Sequence, residues 1–188
     1  MRGPLLSGSL GSPATLERVC RLLQEHQPTV VLSALWLAET LASRFPVLGL
    51  VEEDKKSAAV RAVRRAGKSG HPLLVVSAGE DVPLGRGAVG AILIENLMDV
   101  EDPAAAEDLL VGLLPALRSD GVVASLDATK HQETEARLAA LFLAAGLTAI
   151  TQARPREGAL LTVGSAPPRA VTAVQTLRPL VVPGEPRE

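Results

Sequence analysis

The end of the chain most restricts what it can fold into. Residues 148–153 and 159–164 are two runs of β-strand composition, and only the short stretch RPREG separates them. Because so short a link has no room for a helix, the two runs must pair antiparallel as a hairpin. A fold whose last two strands are joined by a parallel crossover, as in a dinucleotide-binding Rossmann domain, is therefore disfavoured.

Upstream of this hairpin, apolar runs alternate with segments of helix-forming composition. Strands are predicted over residues 29–32, 47–51, 73–76, 89–94 and 122–126, with a turn at 119–121. Helices are predicted over residues 14–26, 34–45, 52–66, 104–117 and 133–145, the first with Ser12 as its N-cap. The alternation is typical of an α/β fold with a doubly wound sheet and right-handed crossovers. With the hairpin added, we predict a mostly parallel seven-stranded sheet.

Length and composition bound the domain organisation. The chain has 188 residues, enough for one domain, and it is 47% apolar but only 2% aromatic, so its core must be aliphatic. Three segments are expected: a flexible N-terminal arm over residues 1–13, the α/β domain over 14–166, and a Pro-rich C-terminal tail over 167–188.

Charge and cysteine content disfavour several classes of protein. The formal net charge is −2, which calls for neither nucleic acid nor a membrane surface. Cys20 is the only cysteine, so an internal disulfide and a multi-cysteine metal cluster are excluded, and the three histidines lack metal-binding spacing. No apolar run reaches the roughly 18 residues of a membrane span, and the N-terminus lacks the apolar core of a secretion signal. The expectation is a cytoplasmic protein without a metal.

Three stretches of the second half carry a resemblance to a known family. Residues 77–101 (SAGEDVPLGRGAVGAILIENLMDVE) are similar to its third-strand exit, Pro-Leu turn and fourth strand. Residues 113–127 (LLPALRSDGVVASLD) are similar to its next helix, turn and fifth strand, and residues 138–164 to its last helix and hairpin. Over about residues 29–164 the chain resembles the class I S-adenosylmethionine-dependent methyltransferases. The resemblance implies a class I methyltransferase-like fold.

The resemblance also implies where S-adenosylmethionine would be bound. Ser33 would contact the cofactor from the first turn, and Glu52 would contact the ribose, although Val51 is nearer the expected register. Ala78, Gly79 and Glu80 would contact the adenine, and Glu95 and Asn96 would lie beside the methyl group. All of these residues follow the carboxyl ends of predicted strands, where open α/β sheets bind ligands. Polar residues also occur at such ends simply because they reach the surface and cap helices, so both interpretations stay open.

The turn after the first strand departs from the family's pattern. Glycines normally let backbone N–H groups approach the cofactor there, but this turn is Ser33-Ala34-Leu35-Trp36 and contains none. In the resemblance, Leu35 and Trp36 would stand where the amino-acid end of the cofactor meets bare backbone. Trp36 is predicted either to fill the core or to plug the cofactor space.

A basic cluster lies on the helix predicted after the second strand. It consists of Lys55, Lys56, Arg61, Arg64, Arg65 and Lys68, with no acidic residue among them. The cluster is either a solvated outer face or a contact for an acidic protein surface or for phosphates. No aromatic residues are interleaved with it, which disfavours single-stranded nucleic acid.

Three functional hypotheses follow. The first is a degenerate methyltransferase-like domain, a pseudoenzyme without a cofactor, that acts as a protein-interaction or regulatory module; the glycine-free turn motivates it. The alternative is a divergent S-adenosylmethionine-dependent methyltransferase. A weaker alternative is nucleic-acid binding through the basic helix. No catalytic residue is assigned, a protein partner is expected, and homo-oligomer formation, substrate and partner identity stay open.

Overall fold

A computed structural model gives the fold of the chain. It describes residues 10–32, 34–51, 56–66, 73–77, 84–100, 102–129, 133–156 and 158–168. The helices of this part are α1 (Pro13–Glu25), α2 (Leu35–Leu41), α3 (Lys56–Ala66), α4 (Pro103–Leu113) and α5 (Thr134–Ala144). The strands are β1 (Thr29–Leu32), β2 (Val47–Val51), β3 (Leu73–Ser77), β4 (Val89–Glu95), β5 (Leu117–Ala128), β6 (Thr148–Arg156) and β7 (Ala159–Ser165).

The strands form one seven-stranded sheet in the order β3-β2-β1-β4-β5-β7-β6. The pairs from β3 to β5 are all parallel, whereas β7 runs antiparallel to both β5 and β6. The predicted fold class, a doubly wound, mostly parallel sheet closed by an antiparallel hairpin, is thereby confirmed.

The helices cover the two faces of the sheet. Alternate residues of each strand point to opposite faces, so Val31 joins a core with α1, α2 and α3, whereas Val30 and Leu32 join a second core with α4 and α5. Both cores are mainly aliphatic, as the composition predicts. Leu10 is fully buried in the first core, so the packed body extends into the predicted N-terminal segment.

Helix boundaries differ from the predictions in two places. The helix predicted over 104–117 ends as α4 at Leu113 and continues as a 3₁₀ turn over Leu114–Ala116. Pro115 explains this end, because proline lacks an N–H and its ring clashes with the preceding helical turn. The helix predicted over 34–45 ends at Leu41, and a turn follows in which the Ser43 and Arg44 N–H groups donate to the Thr40 and Leu41 carbonyls. Pro46 disfavours helical geometry at Phe45, so the helix does not resume after this turn. The predicted N-cap of α1 is confirmed, because the Ser12 side chain accepts a hydrogen bond from the Thr15 N–H.

The turn predicted at 119–121 lies inside β5. Val89 pairs with Leu117 and Ala91 pairs with Val122, so residues 118–121 stand opposite Gly90 alone as a break in the register. Residues 119–121 therefore interrupt the pairing of β5 with β4, and the strand continues in the same direction after them.

Candidate functional site

The carboxyl ends of the parallel strands lie together along one edge of the sheet. Leu32 of β1 pairs with Leu50 of β2 and with Ile94 of β4, and Val51 pairs with Ser77 of β3. Glu95 and Asn96 follow directly at this edge. The other predicted cofactor residues, Ser33, Glu52, Ala78, Gly79 and Glu80, lie outside the described residues. Their assignment stays a prediction.

Trp36 and Glu95 bring the first turn and the end of β4 into contact. The indole Nε1–H of Trp36 donates to both carboxylate oxygens of Glu95, at 2.9 Å each. Burial raises the pKa of Glu95, and repulsion from Asp99 and Asp127 adds to the rise, whereas the bond from Trp36 opposes it. Trp36 also packs partly against the core formed with α1, α2 and α3. The side chain thus links the first turn of α2 to the end of β4.

Asn96 holds the segment after β4 against β5. Its backbone lies in the left-handed region, at φ 51° and ψ 51°, a conformation that asparagine adopts more readily than most residues. Its N–H donates to the Leu126 carbonyl at 2.9 Å, and its Oδ1 accepts from the Ala128 N–H at 3.2 Å. The side-chain oxygen of a residue that the resemblance places beside the methyl group therefore has a backbone partner.

Asp127 is a buried carboxylate that the sequence analysis did not single out. It is 1% exposed, and its carboxylate accepts from the Met98 N–H at 2.9 Å and from the Ser125 hydroxyl. Burial raises its pKa, while the bonds from Ser125 and Met98 oppose the rise. It directly follows the strand predicted over residues 122–126, and a carboxylate at that strand end was the available signal. Together with Asn96, it fixes the 3₁₀ turn over Leu97–Asp99.

Replacing Asp127 separates its hydrogen bond from its charge. Asp127→Asn keeps an oxygen for the Met98 N–H, and the Ser125 hydroxyl can rotate to accept from the new amide group, so we expect a domain at least as stable as the parent at neutral pH. Asp127→Ala leaves that N–H without its acceptor and should lower the free energy of unfolding by about 1–3 kcal/mol. Urea unfolding of the three proteins measures both differences.

The pH dependence of this comparison follows from the raised pKa. The folded state binds the Asp127 proton more tightly than the unfolded state, so the stability from this group is present at low pH. That stability is lost as the pH rises from the unfolded value, about 4, through the folded value. The free energy of unfolding of Asp127→Asn should therefore rise relative to that of the parent across that pH interval. A relative loss would show that the bonds from Ser125 and Met98 outweigh burial.

The basic cluster is only partly described. Arg61 and Arg64 are exposed on α3, and Arg65 forms an ion pair with Glu39 of α2 through its Nε and through Nη2, which lies 2.7 Å from Glu39 Oε2. Lys55 and Lys68 lie outside the described residues, and the side chain of Lys56 does as well.

Away from this edge of the sheet, the described residues form a groove and include one cysteine, but they hold no metal site and no membrane-spanning helix. A groove of about 610 Å³ runs between α1 and the hairpin, lined among others by Arg18, Leu22, Gln152 and Leu161, and it includes none of the predicted site residues. The ranges that the structure covers hold no group of three His, Cys, Asp or Glu side chains arranged for a metal. Burial raises the pKa of the Cys20 thiol, which agrees with a packing role. None of the described helices has both the length and the hydropathy to cross a membrane.

Comparison with solved structures identifies the fold. The chain is similar to a proposed O-methyltransferase from Nostoc punctiforme (TM-score 0.67, 18% identity, 84% of this chain and 56% of that one). It is also similar to an O-methyltransferase family 2 protein from Planctomyces limnophilus, solved with apigenin (TM-score 0.66, 10% identity, 81% and 56%). A third similar structure is a SAM-dependent methyltransferase from Aquifex aeolicus (TM-score 0.58, 14% identity, 83% and 99%).

The share of each similar protein that this chain covers differs between the three. The chain spans little more than half the length of the Nostoc and Planctomyces proteins and nearly all of the Aquifex protein. No family model matches the chain, and no curated protein matches it. The fold is that of the class I methyltransferases.

Proposed function

We propose that this domain, which has the class I methyltransferase fold, is a divergent methyltransferase domain that binds S-adenosylmethionine. The observation that carries the proposal is the position of Glu95. It ends β4 beside β1, where the sheet order β3-β2-β1-β4-β5 changes direction. Open α/β sheets bind their ligands at this switch point, outside the carboxyl ends of the strands.

The described residues fit the charge of the cofactor. S-adenosylmethionine, when bound, supplies a methyl group on a positively charged sulfur and also carries an ammonium group. The Glu95 carboxylate is half-buried, and a carboxylate in such a place attracts a cation more strongly than one in water. Asn96 keeps the chain after Glu95 in place through its bonds to β5. The likeness to methyltransferase structures supports the same ligand.

Glu95 also supplies a proton acceptor. A hydroxyl or amine that takes up a methyl group must give up a proton, and a carboxylate with a raised pKa accepts one more readily than an ordinary glutamate. In the structure this carboxylate is held by the Trp36 indole. Binding at the switch point would therefore compete with the Trp36–Glu95 hydrogen bond.

The same hydrogen bond favours a second candidate function. If the Trp36–Glu95 pair stays closed, the space for the amino-acid end of the cofactor stays filled, and the domain works as a non-catalytic interaction module. The glycine-free turn at Ser33–Trp36 supports this candidate.

Calorimetric titration with S-adenosylmethionine and S-adenosylhomocysteine distinguishes the two candidates. We expect micromolar binding of S-adenosylmethionine, and we expect Glu95→Gln to weaken it about tenfold because the charge attraction is lost. Glu25→Gln, an exposed substitution on α1, serves as the matched control and should leave the affinity unchanged.

Two outcomes would contradict the proposal. Absence of binding at millimolar S-adenosylmethionine would refute the methyltransferase proposal in favour of the module. Binding that Glu95→Gln does not change would place the ligand away from the end of β4.

A further inference from the structure

Helix α3 is packed with its small side chains inward and its larger apolar side chains outward. Ala59, Ala62 and Ala66 are buried, at 6%, 0% and 2% exposure. Val60 and Val63, in contrast, are 49% and 37% exposed. Amphipathic helices of globular domains normally place their larger apolar residues toward the core. This helix therefore presents apolar surface that no described part of the domain covers.

Two arginines lie beside these valines. Arg61 and Arg64 are exposed, and neither has an ion-pair partner within the part of the chain that the structure describes. Residues three and four apart share a helix face, so Val60, Arg61, Val63 and Arg64 form one continuous patch. We name these four residues the α3 outer face. Arg65 stands apart because Glu39 of α2 already pairs with it.

The isolated domain gains little from this arrangement. Valine in an exposed helix position is less favourable than alanine, because its β-branched side chain loses rotamer freedom. One exposed arginine is common on a protein surface, but Arg61 and Arg64 lie beside two exposed valines, so this face combines positive charge with apolar area. Such a combination fits the core and rim of a protein interface.

We propose that the α3 outer face docks an acidic amphipathic segment of a partner protein. Apolar side chains of that segment would cover Val60 and Val63, and its carboxylates would pair with Arg61 and Arg64. This proposal does not depend on cofactor binding, because the four residues are exposed on α3 and none of them is a predicted cofactor residue.

The valines favour a protein over the two other anionic partners. Phosphates of nucleic acid would pair with Arg61 and Arg64, but the sugar-phosphate backbone offers no apolar surface to cover Val60 and Val63. An anionic membrane would cover them, but surface-bound helices typically insert larger side chains such as Trp, Phe or Leu. A carboxylate-bearing peptide with apolar side chains satisfies both halves of the patch.

Binding of designed peptides to the full chain tests the proposal. The probe is a synthetic amphipathic helix with leucines on one face and glutamates beside them, and the control peptide carries lysine in place of each glutamate. Amide ¹H–¹⁵N spectra recorded during titration locate the contact. We expect the acidic peptide to shift the amides of α3, to bind more weakly as salt is added, and to bind far better than the lysine peptide.

Matched variants of the chain separate the two parts of the patch. Arg61→Glu with Arg64→Glu, and separately Val60→Ser with Val63→Ser, should each weaken binding of the acidic peptide about tenfold or more. Arg137→Glu and Val111→Ser are the controls, since Arg137 is exposed on α5 and Val111 is 46% exposed on α4. Circular dichroism checks that each variant is folded. Gln in place of Glu gives a milder pair if the charge reversals unfold the domain.

Three results would overturn the proposal. The first is no binding of the acidic peptide at millimolar concentration. The second is binding that the four α3 substitutions do not weaken. The third is tighter binding of a DNA duplex or of anionic lipid vesicles than of the acidic peptide through the same residues, which would make the α3 outer face a nucleic-acid or membrane surface.

Discussion

Replacing Gly90 with alanine is expected to lower the free energy of unfolding by about 3 kcal/mol or more. A Cβ atom built on Gly90 would lie 2.3 Å from the carbonyl oxygen of His26 and 2.7 Å from that of Gln27. Real Cβ atoms do not approach oxygen so closely, so the backbone of β4 or of the segment before β1 must shift.

The clash cannot be relieved by a side-chain rotation, because the atoms that the new Cβ would meet belong to the backbone. The N–H of Gly90 donates to the Pro28 carbonyl at 2.9 Å, and the next N–H, of Ala91, reaches the same oxygen at 3.2 Å. Moving either segment strains these bonds and disturbs the pairing of Thr29 with Ala91. We therefore expect the effect to extend to the two central strands of the sheet.

Gly112→Ala is the matched control, since it is the same substitution in a different setting. A Cβ on Gly112 meets nothing within 4 Å, and the residue lies inside α4, where alanine is favoured over glycine. The free energy of unfolding of this variant should be about 0.5–1 kcal/mol higher than that of the parent. Urea unfolding followed by circular dichroism measures both changes. Equal effects at the two positions would show that the start of β4 accommodates a side chain after all.

The sequence predicted those parts of the fold that depend on neighbouring residues. Apolar runs gave the seven strands to within a few residues, except at the start of β5 and the end of β6, and the short RPREG link was sufficient for the closing hairpin. Pro115 ended α4 earlier than predicted, although the residue itself carries the signal. Local patterns were therefore enough for the fold class.

The candidate site depends on contacts between distant residues, and these the sequence did not predict. Trp36 and Glu95 are 59 positions apart, and nothing in either segment indicates a bond between them. Asn96 and Asp127 were polar residues at strand ends, but their bonds to Ala128 and Met98 arise only once β4 and β5 are paired. The close approach of Gly90 to His26 is likewise a property of the assembled sheet.

Removing the Trp36 side chain is expected to raise the affinity of the domain for S-adenosylmethionine about tenfold. In the closed arrangement the indole N–H donates to the Glu95 carboxylate, and a hydrogen bond to a charged group contributes about 1.5–3 kcal/mol. A ligand that needs this space must first break that bond, so the apparent affinity is the intrinsic affinity multiplied by the fraction of open molecules. Trp36→Ala removes both the bond and the bulk of the indole.

Trp36→Phe separates these two contributions. Phenylalanine keeps an aromatic ring in the first turn of α2 but has no N–H to donate to Glu95. If the hydrogen bond holds the site closed, this variant should recover most of the gain in affinity. If the volume of the ring blocks the ligand, it should bind like the parent. Calorimetry with S-adenosylmethionine on the parent and both variants measures the difference.

Trp36 also reports its own displacement. It is the only tryptophan, and the chain contains no tyrosine, so protein fluorescence arises almost entirely from this side chain. Adding S-adenosylmethionine to the parent should change its emission with the same midpoint that calorimetry gives, because the indole leaves Glu95. Binding with unchanged emission, or a Trp36→Ala variant that no longer binds, would show that Trp36 supports the ligand instead of opposing it. Absence of binding to the parent and to both variants would favour the non-catalytic module.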